Sequence, residues 1–105
     1  MYYHRQLEDR LIRASGQFPA LLLVGPRQLG KTTLLQHIRG EDRRYVTLDD
    51  PVSRELADRD PQLFLQRNRP PILVDEIQYA PGLLPLIKMQ IDAERKTGAF
   101  WLTGS

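Results

Sequence analysis

"GPRQLGKT", Gly25 to Thr32, decides how this chain is read. It matches G-x-x-x-x-G-K-[ST], the spacing of a phosphate-cradling loop. A polyphosphate carries several negative charges and needs a dense set of donors. Gly25 and Gly30 let the backbone wrap tightly, with no Cβ in the way. Amides of the loop and of the first helical turn then point inward, at the positive end of the helix dipole. Pro26 has no N–H, so the cradle falls to later amides, Leu29 through Thr33. Lys31 can reach the β- and γ-phosphates, and Thr32 offers a hydroxyl to Mg2+. Arg27 and Gln28 fill variable loop positions and read as solvent-exposed. They complete a nucleotide-binding stretch of Gly25, Pro26, Arg27, Gln28, Leu29, Gly30, Lys31, Thr32 and Thr33.

The bland alternative is a glycine turn with an incidental lysine, and the flanks weigh against it. "ALLLV", residues 20–24, lies between Pro19 and Gly25. Its continuous apolar run predicts a strand buried on both faces, as in a parallel sheet. "KTTLLQHIRG" predicts a helix with Leu34, Leu35 and Ile38 facing inward, His37 on the polar side and Gly40 as C-cap. Upstream, Tyr3, Leu7, Leu11 and Ala14 fall on one helical face, which Gly16 and Pro19 end.

Downstream, "RYVTLDD" predicts a second strand. Asp50-Pro51 and Asp60-Pro61 each pair an N-cap with Pro at the first helical position, which predicts helices over 51–58 and 61–67. "ILVDE" predicts a third strand with two carboxylates at its end. From Pro81 to Thr97, Leu84, Ile87, Ile91 and Glu94/Arg95 have helical spacing, with Gly98 as the stop and Arg95 and Lys96 in the last turn. "AFWLT" predicts a fourth strand. Alternating strands and helices define an α/β sandwich with a mostly parallel sheet, whose working loops lie beyond the C-terminal strand ends.

Two further clusters fall at such ends. In "ILVDEIQ", Asp75 follows an apolar strand, where a carboxylate reaches a Mg2+ water. Glu76 adds a second carboxylate, placed to orient or deprotonate an attacking water. In "FWLTGS", Thr103 and Ser105 each offer a hydroxyl at a strand tip. A plain turn explains that stretch equally well. Asp49 and Asp50 also end a strand, and Asp50 reads as an N-cap rather than a ligand. Tyr79 reads as core or rim packing.

Composition narrows the classes. The 105 residues carry a formal net charge of +2, 41% apolar residues and 27% charged residues, enough for one domain with an ordinary core. Such a mild charge with no basic block does not argue for nucleic acid. The absence of cysteine excludes disulfides, thiolate metal sites and cysteine nucleophiles. No apolar run approaches the roughly 20 residues of a membrane span, so a cytoplasmic setting is the default expectation.

"GPRQLGKTTLL", "VTLDDP", "ILVDEIQYAPGLLPLIK" and "FWLTGS" together resemble, in order and spacing, a family of prokaryotic AAA-type P-loop ATPases. The resemblance implies a P-loop NTPase three-layer sandwich of AAA-like (ASCE) strand order, 5-1-4-3-2. It implies ATP and Mg2+ as ligands, with Lys31 and Thr32 as Walker A ligands and Asp75 as the Walker B acid. Glu76 becomes the water-polarising base and Ser105, ahead of Thr103, the sensor-1 residue. It further implies that residues 1–105 are the N-terminal part of an AAA-type domain. A leading helix at 1–16 and a P-loop core at 20–105 would be truncated after the fourth strand, without arginine finger or C-terminal domain. Such a chain is expected to bind ATP with little turnover, and a finger supplied in trans would require a homo-oligomer.

The alternatives are a catalytically silent nucleotide-binding fragment and a P-loop small-molecule kinase. The kinase needs an acceptor site and an Arg-bearing lid, neither of which is evident. A GTPase would need N-K-x-D and D-x-x-G, which do not occur.

Overall fold

The computed structural model describes residues 2–26 and 30–105. Arg27, Gln28 and Leu29, assigned above to the nucleotide loop, lie outside the described residues. So does the side chain of Tyr3.

Helix α1 (Tyr2–Ser15) leads into β1 (Ala20–Val24), α2 (Lys31–Ile38) and β2 (Arg44–Thr47). Then come α3 (Pro51–Arg59), α4 (Pro61–Arg67), β3 (Ile72–Asp75), a 3₁₀ turn (Ile77–Tyr79), α5 (Leu83–Glu94) and β4 (Phe100–Gly104). The strands form one parallel sheet in the order β1-β4-β3-β2. That is the 1-4-3-2 part of the expected order. The α/β sandwich with a parallel, P-loop-like sheet is therefore observed.

Side-chain alternation along the strands builds two separate cores. Ile72, Val74, Phe100 and Leu102 face α3, α4 and α5, where they pack with Leu48, Phe64, Leu83 and Ile87. Leu73 and Trp101 face the other way and pack with Leu35 of α2, flanked by Leu11, Leu21, Leu23 and Tyr45. Helices thus cover both sheet faces, and β3 and β4, in the middle, are buried throughout. The indole N–H of Trp101 donates to Ser15 Oγ at 2.9 Å, and the Arg43 guanidinium lies 3.8 Å over the indole ring. Arg43 also donates to the Gly98 carbonyl at 2.7 Å, tying the start of β4 to the loop before β2.

The local punctuation explains the helix boundaries. Asp50 Oδ2 accepts the Ser53 N–H at 3.1 Å and Asp60 Oδ1 accepts the Leu63 N–H at 3.1 Å, so both Asp-Pro pairs cap as expected. α3 runs one residue further than predicted, to Arg59.

Three expectations need correction. β1 is not buried on both faces. It is an edge strand among the described residues, and Leu22 (59% exposed) and Val24 (62%) point past the reach of α3–α5. α5 buries Leu83 and Ile87, while Leu84 is 43% exposed. Its inner face is the 83/87/91 row, one residue out of phase with the prediction at its first position. α5 also ends at Glu94 rather than near Gly98, because Arg95 adopts a left-handed conformation (φ 54°). Arg95 and Lys96 therefore lie past the last helical turn instead of within it.

Candidate functional site

Parallel strands bring β2, β3 and β4 to the same edge of the sheet at their C-terminal ends. Period-two alternation then decides which side chains meet. Tyr45, Leu73 and Trp101 face α2, so Thr47, Asp75 and Thr103, two residues further along each strand, face α2 as well. Thr47 and Asp75 are register partners. Thr32, in the first turn of α2, completes the group.

Asp75 is the hub. Its Oδ1 accepts from Thr32 Oγ1 at 2.5 Å and from Thr103 Oγ1 at 2.6 Å. Its Oδ2 accepts from Thr47 Oγ1 at 3.0 Å and from the Tyr45 hydroxyl at 3.3 Å. Burial alone would raise the Asp75 carboxyl, but the hydroxyls of Thr103, Thr32, Thr47 and Tyr45 outweigh it and hold the group below its ordinary value. The Tyr45 phenol moves the other way. Burial first, then the neighbouring Asp75 charge, raises it.

Gly30 opens α2 with φ 69°, a conformation that glycine adopts without cost and that L-side chains rarely do. That turn aims the start of α2 at the strand ends. Lys31 is buried (6% exposed), and its ammonium donates to the carbonyls of Gly25 and, at 3.1 Å, Pro26. The lysine charge thus stands within the loop that precedes it. Gly25 N–H in turn donates to the Gly104 carbonyl at 3.1 Å, fastening the loop to the tip of β4.

Glu76 follows Asp75 in a left-handed conformation (φ 61°), unusual for a residue with a side chain. Its N–H donates to Thr103 Oγ1 at 3.0 Å. Its Oε1 accepts from Ser105 Oγ at 2.9 Å and from Gln78 Nε2 at 2.7 Å. The carboxylate is buried, yet it borders a cavity of about 190 Å³ shared with residues 30–33, Asp49 and Asp75. Carboxylate oxygens of Asp49, Asp75 and Glu76 lie within 4.8 Å of one another.

The structure therefore gathers Gly30, Lys31, Thr32, Thr33, Asp75 and Glu76 around one cavity, with Ser105 hydrogen-bonded at its rim through Glu76. The two strand-tip hydroxyls differ in position. Thr103 is fully buried and bonded to Asp75 and the Glu76 amide, whereas Ser105 is exposed and meets the Glu76 carboxylate. Sequence reasoning passed over Tyr45, Thr47 and Gln78, and it noted Asp49 at a strand end without giving it a role. Tyr45 and Thr47 carry a usable signal, since they alternate along a strand next to the Asp75 strand. Gln78 lies in the 3₁₀ turn beyond β3, where no periodicity points to it.

A strand, glycine loop and helix at one edge of a parallel 1-4-3-2 sheet, with polar side chains converging at the C-terminal strand ends, define a P-loop-like α/β domain. The family described as "AAA domain" matches residues 17–105, and the chain belongs to that family. The family places the chain among nucleotide-binding, ATPase-like domains. Uncharacterized protein Mb2031c of Mycobacterium bovis and uncharacterized protein Rv2008c of Mycobacterium tuberculosis are each 38% identical to it over 104 residues. The aligned region is 96% of this chain but 23% of each of those proteins, so the chain spans about a quarter of the length of the curated relatives it matches. No solved structure matches. No helix among the described residues is long and apolar enough to cross a membrane.

Proposed function

We propose that this domain binds ATP with Mg2+ and, within the complete protein, hydrolyses it. The observation that carries the reading is the contact between Thr32 and Asp75. A phosphate-loop hydroxyl and an acid at the end of β3 share one hydrogen bond beside a buried lysine. Those are the donor types that a nucleotide-bound divalent cation takes, one hydroxyl and one carboxylate, with Lys31 to meet the phosphates. The residues thus fit the group.

Thr32 and Asp75 would hold Mg2+, which neutralises charge on the phosphates. Amides from Leu29 to Thr33 would form the phosphate cradle at the start of α2. Glu76 polarises the attacking water and takes its proton. Ser105, the hydroxyl nearest the Glu76 carboxylate, serves as the γ-phosphate sensor, while Thr103 fixes Asp75 and the Glu76 backbone. Asp49 adds a third carboxylate to the cavity. A silent nucleotide-binding role shares every binding residue and differs only in turnover.

The test is Glu76→Gln in the complete protein. The variant should retain Mg-ATP binding and accumulate bound ATP without releasing phosphate. Hydrolysis at the parent's rate would remove Glu76 from the role of base.

A further inference from the structure

Gln78 lies two residues past Glu76, in the 3₁₀ turn that follows β3. Its Nε2 donates to Glu76 Oε1 at 2.7 Å, and its Oε1 accepts the Ser105 N–H at 3.3 Å. Ser105 Oγ donates to the same Glu76 oxygen at 2.9 Å. Glu76, Gln78 and Ser105 thus close a ring of hydrogen bonds across the ends of β3 and β4.

The ring dictates what Gln78 must be. An ionised carboxylate only accepts and a backbone N–H only donates. A bridge between them needs a donor on one side and an acceptor on the other, which a side-chain amide supplies. The two partners also fix which way the amide points, since the flipped form would set acceptor against acceptor and donor against donor. A glutamate here would turn a like charge on Glu76, and a leucine would offer nothing.

The surrounding turn holds the amide in place. Ile77 is buried in the core, and Tyr79 N–H donates back to the Glu76 carbonyl at 3.2 Å. The Tyr79 ring lies 3.7 Å from the Arg54 guanidinium, while Arg54 Nε donates to the Leu48 carbonyl at 2.9 Å. Gln78, between Ile77 and Tyr79, is thereby turned toward the tip of β4.

We propose that Gln78 is a positioning residue for Glu76, holding the water-polarising carboxylate to the tip of β4 during hydrolysis. The inference rests on the ATPase reading above. Ser105 Oγ has one proton, which can serve Glu76 or a phosphate oxygen but not both at once. When Ser105 turns to the nucleotide, the Gln78 amide remains as a donor that keeps the Glu76 carboxylate aligned. Its contribution therefore falls on the chemical step and not on ATP affinity.

The experiment compares the complete wild-type protein with Gln78→Leu and Gln78→Glu, measuring Mg-ATP affinity by calorimetry, kcat and KM for phosphate release, and melting temperature. Gln78→Leu should lower kcat about tenfold, with KM and Mg-ATP affinity within about twofold of wild type, as expected for lost alignment. Gln78→Glu keeps the size of the side chain and should be at least as slow. Wild-type kcat in either variant overturns the proposal. So does a fall in kcat matched by equal losses in affinity and melting temperature, the mark of a purely structural role. A wild-type protein that binds no Mg-ATP, or binds it without turnover, defeats the ATPase reading itself, and this inference falls with it. Where the wild-type protein hydrolyses ATP, the Gln78 variants alone decide whether the positioning role stands.

Discussion

Thr103 Oγ1 donates to Asp75 Oδ1 at 2.6 Å and accepts the Glu76 N–H at 3.0 Å, so one buried hydroxyl fixes both consecutive acids at the end of β3. Thr103→Val keeps the shape and removes both bonds. It leaves a buried N–H without its acceptor and a carboxylate short of a donor, at a cost of about 2 kcal/mol. Urea unfolding should show a lower midpoint with an unchanged slope. An unchanged midpoint would show that Thr103 does not carry this load.

The same hydroxyl donors set a pH dependence. The folded-state carboxyl of Asp75 is held below its unfolded value. Its contribution to stability is therefore complete above the ordinary carboxylate value of about 3.9 and is lost as pH falls through the folded-state value. Melting temperature followed from neutral to acidic pH should drop in that window. Asp75→Asn should flatten this part of the drop, and Thr103→Val should move it to higher pH. Superimposable profiles for wild type and Asp75→Asn would contradict the assignment.

Two neighbouring positions after α5 should respond in opposite directions. Arg95 is exposed at φ 54°, where glycine is at ease, so Arg95→Gly should stabilise by about 0.5 kcal/mol after the added freedom of the unfolded chain is deducted. Gly98 has φ 69°, and a Cβ there would come within 2.8 Å of Ser15 Oγ and 3.0 Å of the Ser15 carbonyl. Gly98→Ala should destabilise by roughly 2 kcal/mol. Thermal melts of the two variants check both signs.

These contrasts show where the sequence was legible. The glycine loop, the Asp-Pro caps and the continuous runs of β3 and β4 depend on local chemistry, and local chemistry is written residue by residue. Asp75 and Glu76 stand at the end of an apolar run, which marks a strand tip. The exposure of Leu22 and Val24 was not legible in "ALLLV" itself, because it depends on how far α3–α5 extend across the sheet. The choice between Leu83 and Leu84 turned on helix phase, which two adjacent leucines leave undecided. Asp49 and Gln78 reach the site through the paths of a loop and a 3₁₀ turn, and neither path has a periodicity to read. Thr103 and Ser105 share one tripeptide and one type of donor. What separates them is where β4 ends: Thr103 lies within the strand, between β1 and β3, while Ser105 follows its last residue, Gly104, and so stands at the rim.

Lys31 bears most directly on the proposed function, because its buried ammonium lies within the loop proposed to cradle the phosphates. Calorimetric titration of Mg-ATP into the wild-type protein and into Lys31→Ala tests it, with circular dichroism confirming that both are folded. Wild type should bind, and Lys31→Ala should show no binding, because the cation that meets the phosphates is gone. Equal affinity in the two proteins would contradict the phosphate-loop assignment and the proposed function built on it.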